Sequence, residues 1–258
     1  MSIAIITLSP EGALLAARLG SELPDSRTYM HRNVPGQSTA ERFSSITELT
    51  ARIFHEHAGI VFISACGVAV RAVAPLLKHK TIDPAVVVVD VRARWAVSLV
   101  SGHEGGANDL AIAVSNVLFS EAVITTATEA LKTLIVGVGC RKGTTSGQIV
   151  TAVNRALAEA DLSLSDVRLI SSADIKKNEQ GLLDASRELD IPLKFISSVE
   201  IRNCLLDFRH SDFVVEQVKL PAVAEPCALL AGRKTKLLVE KKSFNGVTVA
   251  VAQESCLS

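Results

Sequence analysis

Residues Gly59–Ala111 read GIVFISACGVAVRAVAPLLKHKTIDPAVVVVDVRARWAVSLVSGHEGGANDLA. Two apolar runs in this stretch, Gly59–Ser64 and Ala85–Asp90, have the character of strands, and each ends in small or polar residues where a chain leaves a sheet. A third strand, Trp95–Val100, leads directly into Ser101-Gly102-His103-Glu104-Gly105-Gly106-Ala107-Asn108-Asp109, the densest glycine and polar cluster of the chain. A helical run, Leu110–Phe119, follows. Strand, glycine loop and helix start together predict a site for an anion or polar ligand. Backbone N–H groups without helical partners point out of the first turn, and the helix dipole adds partial positive charge.

The same alternation extends to both sides. Towards the N-terminus, Ser2–Leu8 is a strand, and Ser9-Pro10 opens a helix to which Leu14, Leu15, Arg18 and Leu19 give one apolar face. Arg27–Met30 is a short strand, His31–Gln37 a loop, and Ser44–His57 a helix with Ile46, Leu49, Ile53 and Phe54 inward. Val68–Leu77 is a helix within the central stretch. Beyond it, Ala122–Thr125 is a strand, and the small polar run Thr126–Thr133 is a linker. The pattern then restarts: strand Leu134–Val138, glycine loop Gly139–Gly147, helix Gln148–Ala160, strand Val167–Ser171, helix Glu179–Leu189, strand Leu193–Ile196 and a short helix Ser197–Asn203. Phe208–Lys219 has no clear period, and Pro221–Leu230 reads as a helix. Lys236–Glu240 and Val247–Ala252 form a hairpin about Asn245-Gly246. The fold class is α/β: two domains, 1–125 and 134–258, with mostly parallel sheets flanked by helices and the active-site cleft between them.

Composition narrows the function. The 258 residues carry 27 Lys and Arg against 27 Asp and Glu, and aromatics are 4%. Neither an electrostatic case for nucleic acid or an anionic membrane nor a base-stacking platform is present. Cysteines number 5 and include no C-x-x-C pair, which argues against disulfides and structural zinc and for reduced thiols in a cytoplasmic protein. Met1–Leu8 lacks the basic flank of a signal peptide, and no apolar run suits a bilayer span.

Neither glycine loop is a nucleotide motif. Gly137-Val138-Gly139 lacks a third glycine at dinucleotide spacing, and Arg141-Lys142 precede Gly143 where a P-loop has its lysine after the glycine. Gly137–Thr145 is either a carboxylate cradle of backbone amides with Arg141 and Lys142, or a plain strand–helix turn with two solvated cations. His103 sits among glycines, accessible and beside acids, which suits a general base or acid. Its plainer role is a loop histidine bonded to backbone. Asn108 or Asp109 can simply cap the helix, and Arg71, Lys78 and Lys80 can be helix-end charges on a solvated face. Cys66 has no base beside it in sequence and reads best as a small buried residue.

Taken together, Cys66-Gly67, Val70-Arg71, Ala74–Leu77, Lys80, Asp83–Asp90 and Ser101–Ala111 resemble the cobalt-precorrin-5A hydrolase (CbiG) family of anaerobic cobalamin biosynthesis. Val136–Thr144, Ala224–Leu230 and Val247–Ala252 resemble its C-terminal domain, so the resemblance covers nearly the whole chain. Many members carry a further central domain, where only Thr126–Thr133 stands here. The family pattern also has an acid and a glycine after Asp90, where this chain has Val91-Arg92-Ala93-Arg94.

The resemblance implies opening of the ring A δ-lactone of cobalt-precorrin-5A and release of acetaldehyde, giving cobalt-precorrin-5B. It implies His103 and Glu104 as catalytic residues, with oxyanion donors among the N–H groups of Gly102, Gly105 and Gly106. It implies a substrate-binding set of Gly67, Arg71, Lys80, Ser101, Gly102, Gly105, Gly106 and Asn108, with Gly139, Arg141, Lys142, Gly143, Thr144 and Glu225 in the second half. The cobalt arrives within the substrate, so no cofactor or protein-bound metal is implied, and a homodimer is the assembly allowed for. The competing reading is a non-catalytic tetrapyrrole carrier of the same pathway, which has no need of the Ser101–Asp109 loop.

Overall fold

The computed structural model describes residues 2–36, 39–204 and 223–255. The chain divides into two compact units, Met1–Thr126 and Ala127–Ser258.

The first unit is one sheet of strands β1 (Ile3–Thr7), β2 (Ser26–His31), β3 (Glu41–Phe43), β4 (Gly59–Ile63), β5 (Ala85–Val89), β6 (Trp95–Val100) and β7 (Glu121–Val123) in the order β3-β2-β1-β4-β5-β6-β7. β1 to β5 run parallel, and β6 turns back antiparallel on β5. The reversal is local. The Asp90 carboxylate accepts the N–H groups of Arg92, Arg94 and Trp95 at 2.8–2.9 Å and so ties the turn to itself. Burial pushes the Asp90 carboxyl up, but these three donors together with Arg94 outweigh it and hold it below its usual range. Ala93 takes φ +55° in this turn, a position that favours glycine.

β4 and β5 are buried along their whole length. Each such Val or Ile contributes roughly 1.5–3 kcal/mol by leaving water. Helix α1 (Pro10–Glu22) is capped by Ser9, whose hydroxyl accepts from Gly12 N–H at 3.1 Å. Leu14 does not face inward, as its spacing predicts; it is 75% exposed. The helix instead lays Gly12, Ala16 and Leu19 on the sheet, so closely that a Cβ on Gly12 would sit 2.2 Å from Thr7 Oγ1. Helices α2 (Ile46–Ile53), α3 (Cys66–Val73) and α4 (Ala107–Leu118) complete the layers. α2 is shorter than its period suggests, and β3, too polar and brief to read from sequence, extends the sheet edge.

The second unit begins with a one-turn helix α5 (Ala127–Ala130) inside the expected linker. Its sheet holds β8 (Leu134–Cys140), β9 (Val167–Ala173), β10 (Leu193–Ile196), β11 (Thr235–Phe244) and β12 (Val247–Glu254) in the order β10-β9-β8-β12-β11. β8, β9 and β10 are parallel, β12 pairs antiparallel with β8, and β11 pairs antiparallel with β12 at the outer side. Asn245 and Gly246 both take positive φ, +48° and +89°, as a tight hairpin requires. α6 (Ser146–Ala158) and α7 (Gln180–Leu189) pack on one face, where Val136, Val138, Ile149, Val153 and Leu182 build the core. α8 (Ser198–Asn203) and α9 (Ala224–Leu230) lie against each other, and α9 packs on β8. Phe208–Lys219, the start of the helix expected from Pro221, and Cys256 lie outside the described residues. Among the described residues no helix is long and apolar enough to cross a membrane.

Candidate active site

Because β6 returns antiparallel, with Val100 opposite Val86, its C-terminal end lies beside the start of β5. The glycine loop therefore emerges at the sheet edge where the 78–83 turn enters β5. That brings Lys80 to the loop, and it takes Gly67 away. Gly67 opens α3 beyond the other end of β4, and Arg71 folds back to it, donating from Nη1 to the Gly67 carbonyl at 3.4 Å. The first-unit members of the substrate-binding set read from sequence are thus divided between two opposite edges of one sheet.

The loop closes on its own helix. Ser101 takes φ +61° and Gly106 φ +82°. Between these reversals, the carbonyls of Ser101 and Gly102 accept the N–H groups of Ala107 at 3.1 Å and Asn108 at 2.9 Å. α4 begins at Ala107, three residues before the periodicity predicts, with Gly106 and not Asn108 or Asp109 as its cap. Two first-turn donors are consumed internally, so the helix start is not the open anion site that the sequence suggests. Gly106 N–H is also engaged, by the His103 carbonyl at 3.4 Å, which removes it from the expected oxyanion donors.

The glycines are needed for close approach. A Cβ on Gly105 would lie 2.3 Å from Ser101 Cβ and 2.8 Å from the Ser101 carbonyl oxygen; one on Gly102 would lie 2.7 Å from Thr126 Cγ2. Asn108 is buried and turned inward: its Oδ1 accepts from Ser98 Oγ at 2.9 Å, and its Nδ2 donates to Thr126 Oγ1 at 3.0 Å. It anchors the loop to β6 and to the end of the unit, a structural part in place of the expected substrate contact.

His103 and Glu104 project into solvent. Glu104 Oε1 lies 2.7 Å from Lys80 Nζ. The hydrogen bond from Lys80 holds the Glu104 carboxyl below the usual carboxylate range, slight desolvation opposing it. The turn that carries Lys80 is fixed from beneath. Buried Asp83 accepts Lys78 N–H with both oxygens, at 2.9 and 3.1 Å. Ser101 is the unusual member. It is 7% exposed, and its hydroxyl has no hydrogen-bond partner. An unsatisfied buried hydroxyl costs about 1–3 kcal/mol, and left-handed backbone at a non-glycine adds roughly 1 kcal/mol more.

In the second unit, Arg141 and Lys142 follow β8 and are exposed. Gly143 N–H donates to Glu179 Oε2 at 3.2 Å, and Lys176 Nζ lies 3.5 Å from Glu179 Oε1. The carboxylate in this cradle is therefore the chain's own. Thr144 Oγ1 donates to the Arg141 carbonyl at 2.8 Å, and the Thr144 carbonyl packs where a Gly181 Cβ would intrude at 2.0 Å. Thr145 and Gln148 form a reciprocal cap for α6. Burial pushes the Cys140 thiol up, Lys176 and Glu179 acting in opposite senses; Cys227 is pushed far up by burial and by Asp174. Cys66, expected to be buried, is exposed.

Gly139 and Glu225 stand apart from the cradle. Gly139 is within β8, its carbonyl accepting from Thr248 Oγ1 at 3.1 Å. Glu225 is 1% exposed in the first turn of α9 and accepts Lys241 N–H at 2.8 Å, at an irregularity of β11. That position lies level with the middle of β8, away from Arg141. Its burial satisfies a bulged strand. Asp83, Ser98, Lys176 and Glu179 are the supporting residues that sequence reasoning missed; only Asp83-Pro84 carried a signal, that of a turn. Among the described residues no group of three or more His, Cys, Asp or Glu side chains could hold a metal ion.

Residues 48–129 match the family model described as Cobalamin synthesis G N-terminal, and residues 134–252 the one described as Cobalamin synthesis G C-terminus. Two α/β units, each carrying a glycine loop behind a strand, thus fall within one family of cobalamin-pathway proteins. The chain belongs to the CbiG family. It is 25% identical to the cobalt-precorrin-5A hydrolase of Priestia megaterium, over 96% of this chain and 94% of that one. To the cobalt-precorrin-5A hydrolase of Salmonella typhimurium it is also 25% identical, over 97% of each. The Priestia alignment runs over 353 residues against the 258 of this chain, so stretches of that relative have no counterpart here. A solved structure of a putative cobalamin biosynthesis protein G homolog from Sulfolobus solfataricus matches 98% of this chain and 97% of its own, at 20% identity and TM-score 0.39.

Proposed function

We propose that this chain is a cobalt-precorrin-5A hydrolase of cobalamin biosynthesis: it opens the ring A δ-lactone and releases acetaldehyde, leaving cobalt-precorrin-5B. The observation that carries this reading is similarity to two hydrolases of that name across 96% and 97% of the chain. The chemistry available on the loop agrees with it. Lactone hydrolysis needs a base for water, and His103 is the exposed group suited to that work. Glu104 is paired with Lys80 in the resting loop, and that hydrogen bond holds its carboxyl below the usual range, so the base of this reading is His103. Lys80 meets a substrate carboxylate from this edge. Arg141 and Lys142 supply the same recognition on the second unit. Cobalt enters with the substrate, and no protein-bound metal takes part.

The experiment is an anaerobic assay of acetaldehyde from cobalt-precorrin-5A with the purified chain. Stoichiometric acetaldehyde is expected. Tight binding of the corrinoid without acetaldehyde would overturn the hydrolase reading and leave a carrier.

A further inference from the structure

One residue of the loop is set against its own stability twice over. Ser101 holds a left-handed backbone, and its hydroxyl is buried without a partner. The two observations are independent, and they meet in the centre of the glycine motif. Packing does not explain them: alanine would fill the same space without an orphaned hydroxyl, and glycine would also relieve the backbone. An unsatisfied polar atom in a well-packed unit calls for a role outside the resting fold.

What covers Ser101 is the glycine segment itself. Gly105 lies directly on its Cβ, and a Cβ at Gly105 would stand 3.2 Å from Ser101 Oγ. The cover is held lightly. The Lys80–Glu104 pair ties it down from outside, with both side chains exposed, and such pairs are weak. The Gly106-to-His103 bond within it is long, at 3.4 Å. Glycines at Gly105 and Gly106 leave the backbone free to move between its fixed ends at Gly102, whose carbonyl holds Asn108 N–H, and Ala107.

We propose that Ser101 is a catalytic hydrogen-bond donor of this site, its hydroxyl meeting the lactone carbonyl once a substrate carboxylate displaces Glu104 from Lys80 and the His103–Gly105 segment lifts. The inference rests on the hydrolase reading above. The substrate takes over the cation that held the loop shut, and the hydroxyl gains in the complex the partner it lacks at rest. As the carbonyl oxygen becomes an oxyanion, the Ser101 O–H donates to it while water, its proton passing to His103, adds to the carbonyl carbon; collapse then re-forms the carbonyl, breaks the ring C–O bond and returns that proton from His103 to the leaving alkoxide. No covalent bond to Ser101 forms.

The test compares wild type, Ser101→Ala and Ser101→Gly as full-length chains with cobalt-precorrin-5A. Acetaldehyde release gives kcat, corrinoid absorbance gives Kd, and thermal unfolding gives Tm. Loss of one oxyanion donor lowers kcat by about 10²–10³-fold. Kd is expected to rise no more than about tenfold, the worth of one neutral hydrogen bond, with Tm equal or higher in Ser101→Ala and higher still in Ser101→Gly. Amide exchange at residues 102–106 is expected to rise on corrinoid binding. Wild-type turnover in Ser101→Ala overturns the proposal and leaves the hydrolase reading intact. A fall in Tm with activity makes Ser101 structural and overturns it too. No acetaldehyde from wild type overturns both readings.

Discussion

Lys80 Nζ sits 2.7 Å from Glu104 Oε1, joining the turn before β5 to the loop after β6 across 24 residues of sequence. The pair depends on the hairpin reversal at Asp90, which returns the chain to the edge it left. It also separates two roles that the sequence runs together, since an acid engaged by a lysine is a different reagent from a free one. Glu104→Gln is expected to keep kcat near wild type. If Glu104 were the base, kcat would fall about 10²-fold or more. Steady-state acetaldehyde release decides it.

His103 is exposed, so its removal should leave the fold untouched. His103→Ala is expected to lower kcat by about 10²–10⁴-fold with Tm and Kd unchanged. Full turnover would remove it from the mechanism.

In the proposed function the second unit's cations serve substrate binding and not the reacting bond. Arg141→Met should raise KM about tenfold, the worth of one charge-assisted hydrogen bond, and leave kcat alone. Its effect should shrink as salt is added. A kcat effect as large as the KM effect would place Arg141 at the chemistry.

Glu225 and Gly137 report on folding. Glu225→Ala exposes a bulged strand's N–H with no acceptor and is expected to cost about 2 kcal/mol, with no change in KM of the folded fraction. Gly137→Ala places a methyl 1.9 Å from the Ala224 carbonyl oxygen and is expected to cost about 3 kcal/mol or more, since α9 must move off β8. Urea unfolding measures both. An unchanged midpoint for Gly137→Ala would contradict the packing of α9.

His57 gives the first unit an acid-sensitive spot. Its Nε2 faces Tyr29 Oη at 2.9 Å, its Nδ1 is buried without a partner, and burial holds its pKa below the ordinary value, with Glu56 opposing and Arg27 assisting. The folded chain resists protonation, whereas the unfolded chain accepts a proton near pH ~6.5. The stability is therefore fully present above that pH and is lost as pH falls below it. Tm is expected to drop between neutral pH and mildly acidic pH, and His57→Gln should flatten that slope.

Much of this architecture is legible in the sequence, for specific reasons. Val86–Val89 and Ile60–Ile63 are unbroken and apolar because both sheet faces are covered. Asn245-Gly246 predicts its hairpin because both residues tolerate positive φ. The site is less legible because its geometry comes from distant parts. Glu179 enters the second glycine loop from 36 residues away. The start of α4 is set by carbonyls of a loop whose bend depends on Ser101, not by a capping side chain. Gly67 and Ser101 share a motif but not an edge, because one antiparallel strand between them changes the direction of travel. Leu14 escapes its helical period because Gly12 and Ala16 let α1 lie lower than leucine would.

β11 closes its sheet as an outer strand, and its pairing register slips twice, between Leu237 and Val239 and between Val239 and Lys242. Lys236, Lys241 and Lys242 line it. An outer strand that is bent and positively charged cannot offer the straight row of donors and acceptors that a neighbouring molecule needs to continue a sheet. The rim that would otherwise invite molecules to stack strand against strand is blunted by its own irregularity, and the chain is protected from aggregating along that rim at high concentration.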